Sequence, residues 1–149
     1  MSNNRLLKSG SHSDEKDEQL IIKTLNDAFG WVLTKDRALF ESIFANDDDF
    51  FTFYPSSKDT VLGWSNFEKY LDNWMDPRNI AKGYEIRNLR VKISKSGDVA
   101  WFSCVVDDEG EFDGKPWGAK DIRWTGVLEK RGETWVICQQ HMSKASDKN

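Results

Sequence analysis

The stretch YEIRNLRVKISKSGDVAWFSCVVD, residues 84–107, carries an alternation of period two. Arg87, Leu89, Val91 and Ile93 share one parity and Asn88, Arg90 and Lys92 the other, as side chains on opposite faces of a strand do. Ser96-Gly97-Asp98 predicts a hairpin turn into a second strand from Val99 to Asp107. Downstream, Asp107 to Gly118 reads as an acidic, Gly-rich excursion, Lys120 to Lys130 as a third strand, Arg131-Gly132-Glu133 as a turn and Thr134 to Ser143 as the last strand. Consecutive hairpins of this kind build an antiparallel sheet.

Upstream the period is helical. Ser13 is a candidate N-cap, followed by the acids Asp14, Glu15, Asp17 and Glu18, which suit the positive end of a helix. Ile21, Leu25, Ala28, Phe29 and Val32 then recur at helical spacing. Gly30 inside this helix either permits a close backbone approach or marks a weak point. Asp36 can cap a second helix whose Leu39, Phe40, Ile43 and Phe44 form one face. Asp47-Asp48-Asp49 lacks the spaced ligands and glycine of a calcium loop and reads as a solvated turn. Phe50 to Tyr54 is a short aromatic strand ended by Pro55. Ser65-Asn66-Phe67-Glu68 has the pattern of a capping box for a third helix carrying Leu71, Trp74 and Met75 and closed by Pro77. The expected fold is therefore α+β, three N-terminal helices packed on an antiparallel sheet. Residues 1–13 read as a flexible arm, 14–143 as a single domain and 144–149 as a tail.

Composition narrows the function classes. A chain of 149 residues forms one core, and 21 basic against 25 acidic residues give a net charge of −4. No basic excess exists to hold nucleic acid, and no apolar run approaches a membrane span or the centre of a secretory signal. A cytoplasmic protein with no nucleic-acid or membrane partner is expected. Cys104 and Cys138 read as reduced thiols within strands. His12 and His141 are the two histidines, without zinc-site spacing, and no nucleotide-loop, zincin or nucleophile-elbow motif occurs. Neither a metal nor a cofactor is expected.

The strand faces point toward a pocket and a partner. Both parities of Val99 to Val106 are largely apolar, so the face away from the helices needs a cover, and a second subunit is the simplest one. A homodimer through the sheet follows. Gln139, His141 and Ser143 share the nominal parity of Trp135 and Ile137, so they either line a pocket or satisfy backbone groups at a sheet edge. Arg87 and Arg123, on mostly apolar faces, are either neutralised by a carboxylate such as Asp121 or available to an anionic ligand. Among the seven tryptophans, Trp31, Trp74 and Trp135 suit the core, and Trp64 and Trp117, each beside a glycine, suit a pocket rim.

Three runs carry a resemblance: Leu62-Gly63-Trp64 before the Ser65 helix, Gly97-Asp98-Val99-Ala100-Trp101, and Trp135-Val136-Ile137-Cys138-Gln139-Gln140-His141-Met142-Ser143. Together, over residues 16 to 143, the sequence resembles the SnoaL-like branch of the nuclear transport factor two superfamily. The resemblance implies a cone: helices on a strongly curved sheet, with a central pocket and often a dimer. It includes cyclases, isomerases, dehydratases and kinase association domains, so the fold by itself does not choose a reaction. By the closing run, His141 and Ser143 carry over to positions that often line the pocket, and Gln139 stands where a second His is frequent. Tyr54 and Asp121 offer groups similar to the Tyr and Asp of the isomerases. One reading is acid–base catalysis on a small, partly apolar molecule, with His141 as proton carrier, Arg123 or Arg87 as anion stabiliser and Tyr54 as donor. A second is a non-catalytic pocket binding such a ligand through Trp64, Trp117, Arg87, Asp121, Gln139 and Ser143. A third is a dimerising or partner-binding module that uses the acidic 107–118 segment.

Overall fold

The structure, a computed structural model, describes residues 12–147, with side chains from Asp14 onward. Most of the expected N-terminal arm and the end of the C-terminal tail lie outside those residues. Helix α1 spans His12–Thr34, so Ser13 falls in its first turn rather than ahead of it, and Asp14 and Glu15 lie in that turn, at the positive end of the helix dipole. Its apolar stripe delivers Ile21 and Leu25 to complete burial. A Cβ on Gly30 would meet the Tyr84 hydroxyl at 3.6 Å, an ordinary contact, so no close approach demands this glycine. Helix α2 spans Arg37–Ile43, and the Asp36 carboxylate caps it by accepting the Leu39 N–H at 3.0 Å.

Strands β1 (Phe51–Phe53) and β2 (Thr60–Leu62) form a small hairpin. The third helix expected from Ser65 is two short pieces, α3 (Trp64–Glu68) and α4 (Leu71–Trp74). Its Ser65–Glu68 capping box does not form. The chain turns at Gly63, which occupies the cap position, and the first helical amide, that of Trp64, donates to the Asp47 carbonyl at 2.9 Å. The Asp47 main chain therefore supplies an acceptor before the serine is reached.

Four long strands complete the sheet: β3 (Asn79–Ile93), β4 (Val99–Phe112), β5 (Lys115–Arg131) and β6 (Thr134–Ser143). The strand order is β2-β1-β6-β5-β4-β3. The sheet is mixed rather than wholly antiparallel, because β1 lies parallel to β6 with Phe51 opposite Gln139. The predicted excursion from Asp107 to Gly118 is strand: β4 and β5 stay paired out to Phe112 and Lys115, and the turn is confined to Asp113 and Gly114.

Bulges decide which face each side chain meets. In β3 the partner of Arg87 is Val105 but that of Arg90 is Ser103, and Asn88 takes φ 56°. In β6 the partner of Gln139 is Val127 but that of Ile137 is Leu128, so Cys138 is the extra residue. In β5 an extra residue falls at Lys120 and Asp121, where Asp121 takes φ 59°. Each insertion shifts the alternation by one and exchanges the faces beyond it. Arg87 consequently leaves the face of Leu89, Val91 and Ile93, and Gln139 and His141 leave the face of Trp135 and Ile137. Those expectations from uniform alternation are corrected by the bulges.

The inner face of the sheet and the helices enclose an aromatic core. Phe40 packs against Trp31 at 4.7 Å, Phe44 at 5.3 Å and Phe67 at 5.6 Å between ring centroids. Asp17 fastens the start of α1 to the sheet: its buried carboxylate accepts from Trp135 Nε1 at 3.1 Å and pairs with Lys130 at 3.2 Å. Replacing Asp17→Ala leaves an indole N–H and an ammonium without their acceptor, and should cost about 3 kcal/mol. Urea unfolding with an unchanged slope should report it; a loss under about 0.5 kcal/mol would mean that water replaces the carboxylate without penalty.

Candidate functional site

A cavity of about 450 Å³ lies between the inner sheet face and the helices, inside the range of roughly 300–1,000 Å³ usual for small-molecule sites. Helix α1 contributes Ala28, Phe29, Trp31 and Val32, because one turn of its apolar stripe faces the sheet. Phe40 from α2, Phe44 just beyond it and Phe67 from α3 line the cavity with buried rings. The Asn73 and Trp74 pair from α4 lines it too, with Phe112 and Trp117 from the β4–β5 hairpin, and Asn73 is exposed.

Trp117 reaches the cavity because its neighbour across the hairpin is a glycine. A Cβ on Gly110 would sit 2.2 Å from the Trp117 ring and 2.6 Å from the Ile80 carbonyl, so only glycine lets the indole lie across β4. Gly118, at φ 110°, is equally required, since a Cβ there would fall 2.1 Å from the Asp108 carbonyl. The indole N–H then donates to Asn79 Oδ1 at 2.8 Å, and Asn79 Nδ2 donates to the Asn73 carbonyl at 3.1 Å. Lys35 closes the same corner by donating to the carbonyls of Trp74 and Asn79.

Deeper in, Gln140 is held rigidly. Its Oε1 accepts from Trp124 Nε1 at 2.9 Å and its Nε2 donates to Thr52 Oγ1 at 3.3 Å. All three residues are buried, and Trp124 is wedged edge-on by Phe29 at 4.9 Å and Phe102 at 4.7 Å. Three lining side chains make no side-chain hydrogen bond among the described residues and remain for a ligand: Asn73, at an exposed position, Tyr54 and Asp108. The Tyr54 hydroxyl lines the cavity and makes no hydrogen bond among the described residues; burial, reinforced by Tyr70 and Asp59, raises its pKa. Among the described residues Asp108 is the one charged residue of the lining. Burial pushes its carboxyl up to about 6, the Glu109 N–H moderates the rise, and the Glu109 carboxylate adds to it.

The residues singled out from sequence divide between the faces. Tyr54 and Trp117 line the cavity. Trp64 packs against Phe40 at 5.4 Å and Phe67 at 6.1 Å and is not part of the lining. Arg87 and Asp121 meet on the outer face, where the Arg87 guanidinium bonds Asp107 at 2.6 Å and Asp121 at 2.5 Å. This is the ion-paired alternative for Arg87, and the Asp121 N–H together with Arg87 holds the Asp107 carboxyl below its usual range. His141 is exposed on that outer face with its ring 5.3 Å from Phe53. Gln139 is exposed there too, while Arg123 reaches the Lys144 carbonyl at 3.5 Å beside Ser143. The structure thus gathers none of His141, Gln139, Ser143 or Arg123 into the cavity.

Asn73, Asn79, Asp108 and Gln140 are the polar lining that the sequence reading missed. The signal for Asp108 was present: Ala100, Phe102, Cys104 and Val106 form the inner parity of β4, which has no insertion of its own there, and Asp108 is the next member. For Gln140 no such signal existed, since its inward aim depends on the bulge at Cys138. Cys104 and Cys138 are free thiols whose pKa values burial pushes up to about 12 and about 11. Among the described residues no cluster of potential metal ligands occurs and no helix is long and apolar enough to cross a membrane.

A helical layer over one face of a curved six-stranded sheet, enclosing an aromatic cavity between them, defines the class as an NTF2-like cone. The chain belongs to the SnoaL-like domain family, whose model matches residues 21–147. Among solved structures, a candidate dehydratase of the NTF2-like family from Streptomyces avermitilis superposes with a TM-score of 0.75 at 13% identity, covering 90% of this chain and 99% of that one. A candidate scytalone dehydratase from Novosphingobium aromaticivorans gives 0.70 at 12% identity, covering 100% and 93%. The association domain of CaMKII from C. elegans gives 0.66 at 16% identity, covering 90% and 100%. At these identities the shared property is the fold. No curated protein matches the sequence.

Proposed function

We propose that the protein binds a small, partly apolar molecule in the cavity and does so as a homodimer joined through the outer sheet face. The observation that carries the binding reading is an aromatic chamber of about 450 Å³ whose lining holds a carboxyl, Asp108, and a phenol, Tyr54, neither engaged by a side chain among the described residues. Such a chamber supplies area through its rings and orientation through Asp108 and Tyr54. The places that sequence reading gave to His141 and Arg123 pass to these two residues. For the dimer, Trp101 is 48% exposed and Phe53 44% exposed on the outer face, beside Val105 and Val127. These apolar residues, interspersed with Ser103, Gln139 and His141 and rimmed by Arg87, Arg90 and Asp121, are suited to a second copy.

Asp108 also gives the site acid–base capacity. A carboxyl titrating near 6 exchanges a proton in the working range, and the Tyr54 hydroxyl can donate to a developing oxyanion. The catalytic reading rests on that pair, and neighbours named as CaMKII association or hub domains support assembly.

Native mass spectrometry of freshly purified protein tests both halves. A dimer carrying added mass is the expected result, and Trp101→Glu should convert it to monomer by placing two carboxylates in the interface. A wild-type monomer at micromolar concentration would end the dimer reading. If the recovered molecule is turned over, Asp108→Asn should slow turnover by about a hundredfold or more.

A further inference from the structure

We propose that the molecule the cavity takes is an organic cation, a protonated or quaternary amine bearing an apolar group, with its charged end against Asp108. The inference rests on the cavity being a ligand site and names the class of ligand. Three observations carry it. The lining holds one carboxylate and, among the described residues, no lysine, arginine or histidine. Two cations that touch lining residues are already committed: Lys35 to the carbonyls of Trp74 and Asn79, and Arg78 to Asp76 at 2.8 Å while lying over Phe112 at 4.9 Å.

The rings around the carboxylate are set out along one strand. Asp108, Gly110 and Phe112 project in turn from the inner face of β4, and the Trp117 indole lies over Gly110 between the other two. A charged end beside Asp108 therefore sits close to the Trp117 indole, the ring type that attracts cations most strongly. An anionic ligand would meet like charge in a desolvated space. A neutral one would leave the carboxylate without a counter-charge. The net charge of −4 adds a field that draws cations toward the protein.

Three probes of one shape test this: phenethyltrimethylammonium, its neutral carbon isostere neohexylbenzene, and the anion phenylbutyrate. Each is titrated against the intrinsic fluorescence of the lining tryptophans at about pH 8, where a carboxyl titrating near 6 is ionised. The ammonium should bind about tenfold or more tighter than neohexylbenzene, with phenylbutyrate weakest. Asp108→Asn should abolish that preference while moving neohexylbenzene by less than about twofold. If neohexylbenzene or phenylbutyrate binds as tightly as the ammonium, the cation inference is overturned and the cavity reading stands. If no probe binds up to millimolar concentration, both are overturned. The comparison on wild-type protein decides even if the variant folds poorly.

Discussion

Asp108→Asn should make the protein more stable by about 2–3 kcal/mol near pH 8, and the gain should fade through pH 6 and vanish below about pH 4. The sign follows from the direction in which burial moves this carboxyl. Its folded-state pKa is pushed up to about 6, above the roughly 3.9 of an unfolded aspartate. Below the unfolded value the carboxyl is neutral in both states and costs nothing. As pH rises toward 6 the unfolded chain releases its proton first, and above 6 the folded state carries the full cost of an ionised carboxylate in a cavity. Each tenfold change in an acid's dissociation constant is worth about 1.4 kcal/mol, and asparagine avoids the charge at constant shape. Urea unfolding of both proteins at three pH values measures the effect. Equal stability near pH 8 would show that water solvates this carboxylate in the free protein, and the case for a ligand counter-charge would weaken with it. A stabilising substitution inside a cavity is what a group retained for function produces.

Trp124→Ala should be the most damaging single truncation, costing about 4–5 kcal/mol and lowering Tm by roughly 10–20 °C. Three losses coincide. The largest completely buried side chain disappears from between Phe29 and Phe102, leaving a cavity that the sheet cannot close. Gln140 Oε1 loses its donor in a buried place. The Gln140 link to Thr52, which ties β6 to the short strand β1, then loses its anchor. Trp124→Phe separates these contributions: it retains most of the volume and should cost about 1–3 kcal/mol for the unsatisfied amide alone. Calorimetry of the two variants checks this, and equal losses would place the whole effect in the hydrogen bond to Gln140 rather than in packing.

Particular residues show how far the sequence can be read. The α1 stripe from Ile21 to Val32, the Asp36 cap and the hairpin at Ser96 to Asp98 are local matters of period and capping, and the structure forms each of them. The Ser65–Glu68 box does not form because a backbone carbonyl distant in sequence, that of Asp47, reaches the helix start first. Counting in twos from Trp135 directs His141 to the cavity, and the count fails at Cys138.

The sequence by itself determined the α+β architecture, the family and the aromatic character of the interior. The architecture depends on the period of apolar residues, which each segment carries within itself, and the family on the runs Leu62–Trp64, Gly97–Trp101 and Trp135–Ser143 that resemble it. Tertiary structure alone decided which polar groups look into the cavity. A bulge is a one-residue mismatch between two strands, so it exists only once both are paired, yet it turns every later side chain to the other face. That is why Gln140 displaced Gln139 and His141 from the inner face, why Arg87 went out to Asp107 and Asp121, and why Asp108, on the strand that kept its count, stayed inside.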